Sequence, residues 1–197
     1  MVFFFIVLVA LLVGLLLLWF FGAKLISRYN SLMRVDENVD QAWSNIDVIL
    51  KQRNEELPKL LDTVSAFQDH EKEVIDDITQ ARKESMQAST PTEQAEADAH
   101  VRQGLGRLFA VAEDYPELKS SENFQQLQDR ISDLEERIAD RRELYNEAVT
   151  IFNTRIKQIP DVLFASMLNY SERETFELDE GQLEDVDIEA ELSESTN

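Results

Sequence analysis

LQDRISDLEERIADRRELYNEAVTIFNTRIKQI, residues 127–159, carries apolar side chains at Leu127, Ile131, Leu134, Ile138, Tyr145, Ala148, Phe152, Ile156 and Ile159. Steps of three, four and seven place them on one face of a long helix, whereas a strand would alternate every second residue. Pro160 stops the pattern, because its ring and missing N–H oppose a helix interior. The chain is read as all-α from this segment outward.

Upstream, Thr90-Pro91-Thr92-Glu93 has the spacing of a capping box with proline in the first turn. Val101, Leu105, Leu108, Phe109 and Ala112 form the buried face of the helix it starts, and Tyr115-Pro116 ends that helix. An earlier stripe runs through Leu57, Leu60, Leu61, Val64, Phe67, Val74, Ile75, Ile78 and Ala81. Before it, Leu32, Val35, Val39, Ala42, Ile46 and Ile49 define a first helix, widened by Trp43 and Leu50. Asn54-Glu55-Glu56-Leu57-Pro58 is expected to reverse the chain between these two. Four amphipathic helices with short links pack most simply as an antiparallel up-down-up-down four-helix bundle, here residues 24–160. A coiled coil between chains is the alternative.

Met1 to Ala23 holds no charged side chain. Its length, about 33 Å as a helix, matches a hydrocarbon core of about 30 Å, so residues 1–23 read as a transmembrane helix. A signal peptide would need a basic start and a small-residue cleavage site, and neither is clear. Lys24, Arg28 and Arg34 follow the span, which directs the N-terminus outside and the rest into the cytoplasm at the cell membrane.

The net charge of −20, from 39 acids against 19 bases, argues against nucleic acid as a partner. Ser171 to Asn197 holds eleven carboxylates and one arginine, and is expected to be a disordered acidic tail. It reads as a docking element or as the solvated end of a protein from a salt-adapted organism. Between bundle and tail, residues 161–170 form an apolar juxtamembrane segment. An even number of helices brings Pro160 back to the bilayer, so Leu163, Phe164, Met167 and Leu168 are candidates for the membrane interface.

Catalytic patterns are absent from the reading. The chain has no cysteine, and His70-Glu71 lacks the second histidine of a zinc protease helix. Gly104-Leu105-Gly106 follows no strand and reads as close helix packing rather than a phosphate loop. No catalytic residue, metal or cofactor is therefore expected. The polar candidates are structural: Glu71 approaching Arg141 or Arg107 in a polar layer, and Asn146 and Asn153, two turns apart, bonding across helices or facing water.

Several segments resemble the LemA family. They are Arg28-Tyr29-Asn30-Ser31-Leu32, Val39-Asp40-Gln41-Ala42-Trp43-Ser44-Asn45-Ile46-Asp47-Val48 and Leu57-Pro58-Lys59-Leu60-Leu61-Asp62-Thr63-Val64 in the first half. In the second half they are Leu105-Gly106-Arg107-Leu108, Ala112-Glu113-Asp114-Tyr115-Pro116-Glu117-Leu118-Lys119, Glu122-Asn123-Phe124, Tyr145-Asn146 and Phe152-Asn153-Thr154-Arg155. The resemblance runs from Ala23 to Phe176. It implies a membrane-anchored helical bundle in the cytoplasm, and supplies no reaction and no functional residues. The expected function is a non-enzymatic interaction or scaffold module at the cell membrane, with an unidentified membrane or cytoplasmic protein as partner, or a second copy in a homo-oligomer. The alternative is a sensor or adaptor regulating a membrane protease or transporter.

Overall fold

The structure, a computed structural model, describes residues 1–66 and 72–177. Among them all regular structure is helical: α1 Val2–Ser65, α2 Lys72–Gln87, α3 Pro91–Glu113, α4 Pro116–Lys119, α5 Glu122–Lys157 and α6 Asp161–Leu168. Glu71, His70 and Phe67, and residues 178–197 of the expected tail, lie outside the described residues. Among the described residues two compact units are distinguished: residues 1–41 with 148–173, and residues 42–66 and 72–147 with 174–177.

α1 is long and apolar enough to cross a membrane, with a mean hydropathy of 3.2 in its most apolar window and none of that window buried. A core helix of that apolarity would be covered by protein, so bilayer lipid is the environment that suits it.

The expected reversal at Asn54–Pro58 does not occur; α1 continues through Pro58 to Ser65. A proline inside a helix leaves the carbonyl four residues earlier without its N–H. That carbonyl, on Asn54, instead accepts a hydrogen bond from Arg82 Nε at 2.7 Å. The apolar face also runs unbroken across the site, since Leu50, Leu57, Leu60, Leu61 and Val64 are all buried. The reversal comes after Ala66.

In the second unit Leu57, Leu60, Leu61 and Val64 of α1 share one core with Val74, Ile78 and Ala81 of α2, Val101, Leu105, Leu108 and Ala112 of α3, Leu118 of α4, and Phe124, Leu127 and Ile131 of α5. Each large side chain fully buried there contributes about 1.5–3 kcal/mol. α3 starts where its sequence spacing predicts. Thr90 Oγ1 accepts from the Glu93 N–H at 3.2 Å, Glu93 Oε2 accepts from the Thr90 N–H at 3.3 Å, and Pro91 opens the helix. Gly104 permits a close approach of α2 and α3, because a Cβ there would stand 2.6 Å from Ile78 Cγ1. Gly106 faces open space, so close packing explains only the first of the two glycines.

In the first unit, Leu32 and Val39 of α1 are buried together with Val149, Phe152 and Ile156 of α5 and Ala165 of α6. α5 ends at Lys157, and Ile159, expected on its buried face, is 87% exposed beyond the helix end. α6 closes on Asn169, whose φ of 56° is the left-handed conformation that asparagine tolerates at a helix end.

Candidate functional site

Arg53 is the most deeply buried charge described, fully inaccessible on α1 of the second unit. Its Nη1 donates to Asp98 Oδ1 of α3 at 2.6 Å and to Glu135 Oε1 of α5 at 2.8 Å. Asp98 is itself buried and pairs through its other oxygen with Arg102 at 3.2 Å. Burial alone would lower the guanidinium pKa, but the carboxylates of Asp98 and Glu135 outweigh it and raise it. Next along α1, Asn54 Nδ2 and Gln94 Nε2 both donate to Ser85 Oγ, at 3.1 and 2.8 Å. A polar layer thus ties four helices together. It contains no nucleophile with a base beside it, so its chemistry is charge pairing, which fixes how the helices meet.

Of the residues predicted for such a layer, Glu71 lies outside the described residues, and the two arginines lie elsewhere. Arg107 pairs with Asp77 at 3.0 Å on the surface, and Arg141 is exposed. Arg53, Asp98 and Glu135 were missed although each sits on an apolar stripe. Arg53 lies between Leu50 and Leu57, Asp98 precedes Val101 by one turn, and Glu135 follows Ile131 by one turn. Placing a reversal at Asn54 removed Arg53 from its helix and hid the pattern.

The two asparagines each hold non-helical backbone that follows α6. In the first unit, Asn153 Oδ1 accepts from the Arg173 N–H at 2.8 Å while its Nδ2 donates to the Arg173 carbonyl at 2.9 Å. Arg173 itself reaches Asp36 at 2.9 Å and Asp40 at 3.3 Å. In the second unit, Asn146 Oδ1 accepts from the Phe176 N–H at 2.8 Å, and its Nδ2 donates to Glu177 Oε1 at 3.0 Å. The Phe176 side chain is fully buried beside Trp43 and Tyr145, whose hydroxyl donates to the Glu174 carbonyl at 2.8 Å. The stretch 171–177, expected to open a disordered tail, is therefore packed. A buried aromatic ring and paired backbone hydrogen bonds offset the entropy of ordering it.

At the expected membrane interface, Leu163 and Met167 are 69% and 67% exposed, while Phe164 and Leu168 are half-buried. Phe164 packs edge-on against Tyr29 of α1, with ring centroids 6.0 Å apart.

Among the described residues, no group of three or more His, Cys, Asp or Glu could hold a metal ion. His100 Nδ1 lies 3.0 Å from Glu84 Oε2 on an exposed surface. Gly104-Leu105-Gly106 lies inside α3.

The LemA family model matches residues 42–189. Protein LemA of Metamycoplasma hominis is 29% identical, over 94% of this chain and 83% of its own length. Magnetosome protein MamQ 1 of Paramagnetospirillum magneticum is 25% identical, over 80% of this chain and 67% of its own. MamQ of Magnetospirillum gryphiswaldense is 24% identical, over 79% and 67%.

Proposed function

The chain belongs to the LemA family, and on that premise we propose that it is a non-enzymatic, membrane-anchored interaction module. Residues 1–23 span the cell membrane with the N-terminus outside. Residues 24–160, arranged as an up-down-up-down bundle, present polar helix faces to a protein partner in the cytoplasm. One observation carries the reading: α1 runs from Val2 to Ser65 without a break, so the apolar segment and the folded part share one helix. The buried Arg53 layer adds specificity of helix pairing and no reactive group. The relatives support the same direction, since the MamQ proteins are named by the magnetosome and not by a reaction.

Photo-crosslinking in native membranes tests the proposal, with a crosslinker at the exposed positions Glu136 or Arg141 of α5. A discrete adduct with one protein, lost when residues 1–23 are replaced by a soluble leader, is the expected result. Adducts that are diffuse, or unchanged without the span, would contradict it.

A further inference from the structure

We propose that α6 and the turn before it form a second membrane contact, in which Ile159, Leu163 and Met167 lie in the headgroup region of the bilayer. The inference rests on residues 1–23 spanning that bilayer, and assigns a lipid-facing surface to a different part of the chain.

The first observation is a register along α1, all within the first unit. Arg155 Nη2 donates to Ser31 Oγ at 3.4 Å, Phe164 packs on Tyr29, the Tyr170 hydroxyl donates to Met33 Sδ at 3.2 Å, and Arg173 pairs with Asp36. Read in chain order, the partners on α1 are residues 31, 29, 33 and 36. The chain approaches the span, turns at Tyr29 and moves away again, so residues 159–164 are its nearest point to the bilayer. Tyr29 stands six residues beyond Ala23, about 9 Å along the axis. Side chains on a helix lean toward its N-terminus, here toward the span, which shortens that distance. The headgroup layer is about 5–8 Å deep on each side, and interfacial helices sink their apolar face about 5–10 Å into it. The two ranges meet.

The second observation is composition and exposure. From Gln158 to Tyr170 the single charged side chain is Asp161, in a chain of which 29% is charged. Asp161 is buried and held by Arg155 Nε, so its charge does not reach the surface. Leu163 and Met167 are one turn apart on the open face of α6, with Ile159 exposed in the turn before the helix, while Ala165 faces inward. Leu25 and Ile26 of α1, at 51% and 63% exposed, lie between Tyr29 and the span. An apolar face this bare, in a unit joined to a membrane span, is matched by lipid.

The chain has no cysteine, so single-cysteine variants of the full-length protein can carry an environment-sensitive fluorophore in vesicles of phosphatidylcholine and phosphatidylglycerol. Quenchers attached at headgroup depth should dim probes at Leu163→Cys and Met167→Cys as strongly as one at Ile26→Cys, and leave Glu37→Cys unaffected. With the probe at Ile159→Cys, adding Leu163→Glu and Met167→Glu should abolish quenching without loss of helical signal. If Ile26→Cys is quenched while Leu163→Cys and Met167→Cys are not, the α6 contact is overturned and the span stands. If Ile26→Cys is not quenched, the span fails and the α6 contact falls with it. An unquenched Met167→Cys that crosslinks to a second copy makes the face a self-contact and also overturns the lipid assignment.

Discussion

Arg82 Nε donates at 2.7 Å to the backbone carbonyl of Asn54, the carbonyl that Pro58 leaves without its helical partner. A residue of α2 thereby completes the hydrogen bonding of α1 and lets the helix pass through its proline.

This relationship predicts a conditional effect. Leaving a carbonyl of this kind unpaired costs about 1–3 kcal/mol. Arg82→Ala should lose that much in urea unfolding of the detergent-solubilised protein. In a Pro58→Ala background, where residue 58 regains its N–H, the same change should cost clearly less. Equal losses in both backgrounds would mean that the contact does not compensate for the proline.

The Arg53 layer predicts a graded series. Removing one member of a buried ion pair costs about 3–5 kcal/mol, because the partner is left charged and unpaired. Arg53→Ala takes the cation from Glu135 and leaves buried Asp98 with Arg102 alone, and should reach this range. Glu135→Gln should cost less, since Glu135 is 22% exposed and water can reach it. The midpoints of chemical denaturation rank the two.

Gly104 and Gly106 should respond to alanine with opposite signs. At Gly106 nothing lies within reach of a Cβ, so Gly106→Ala should stabilise by about 1 kcal/mol through helix propensity. At Gly104 the new Cβ meets fully buried Ile78, and overpacking of about 1–3 kcal/mol outweighs that gain. Thermal midpoints of the two variants test the difference.

Tyr170 gives the first unit a dependence on alkaline pH. Burial, then the nearby Asp36 carboxylate, pushes its hydroxyl from 10.0 up to about 12. A raised pKa means that the folded state holds the proton more tightly. This contribution to stability is full below pH 10 and is lost as pH rises through about 12. Tyr170→Phe should flatten the stability profile in that window, and the tyrosinate absorbance it removes should be a transition near the upper end.

Helix type and the start of α3 were legible because each depends on residues a few positions apart. The Thr90–Glu93 box needs only its own turn to form. Pro58 misled for the opposite reason: its local signal is a break, and the arginine that cancels it lies 28 residues from the carbonyl concerned. The polar layer was hidden for the same cause, since Arg53 meets Asp98 and Glu135 across 45 and 82 positions. Asn146 and Asn153 stood out by spacing, yet their partners are the backbone of Phe176 and Arg173, where amide groups leave no mark in the sequence. Phe176 alone, an aromatic among acids, could have signalled that the first part of the tail is packed.

The central claim is an anchored module with its folded part on the cytoplasmic side, and cysteine accessibility in intact cells tests it most directly. A cysteine placed just before Val2 should react with a membrane-impermeant thiol reagent, and one at the exposed position Glu136 should react only after the membrane is permeabilised. Labelling of Glu136→Cys in intact cells, with protection of the N-terminal cysteine, would contradict the account.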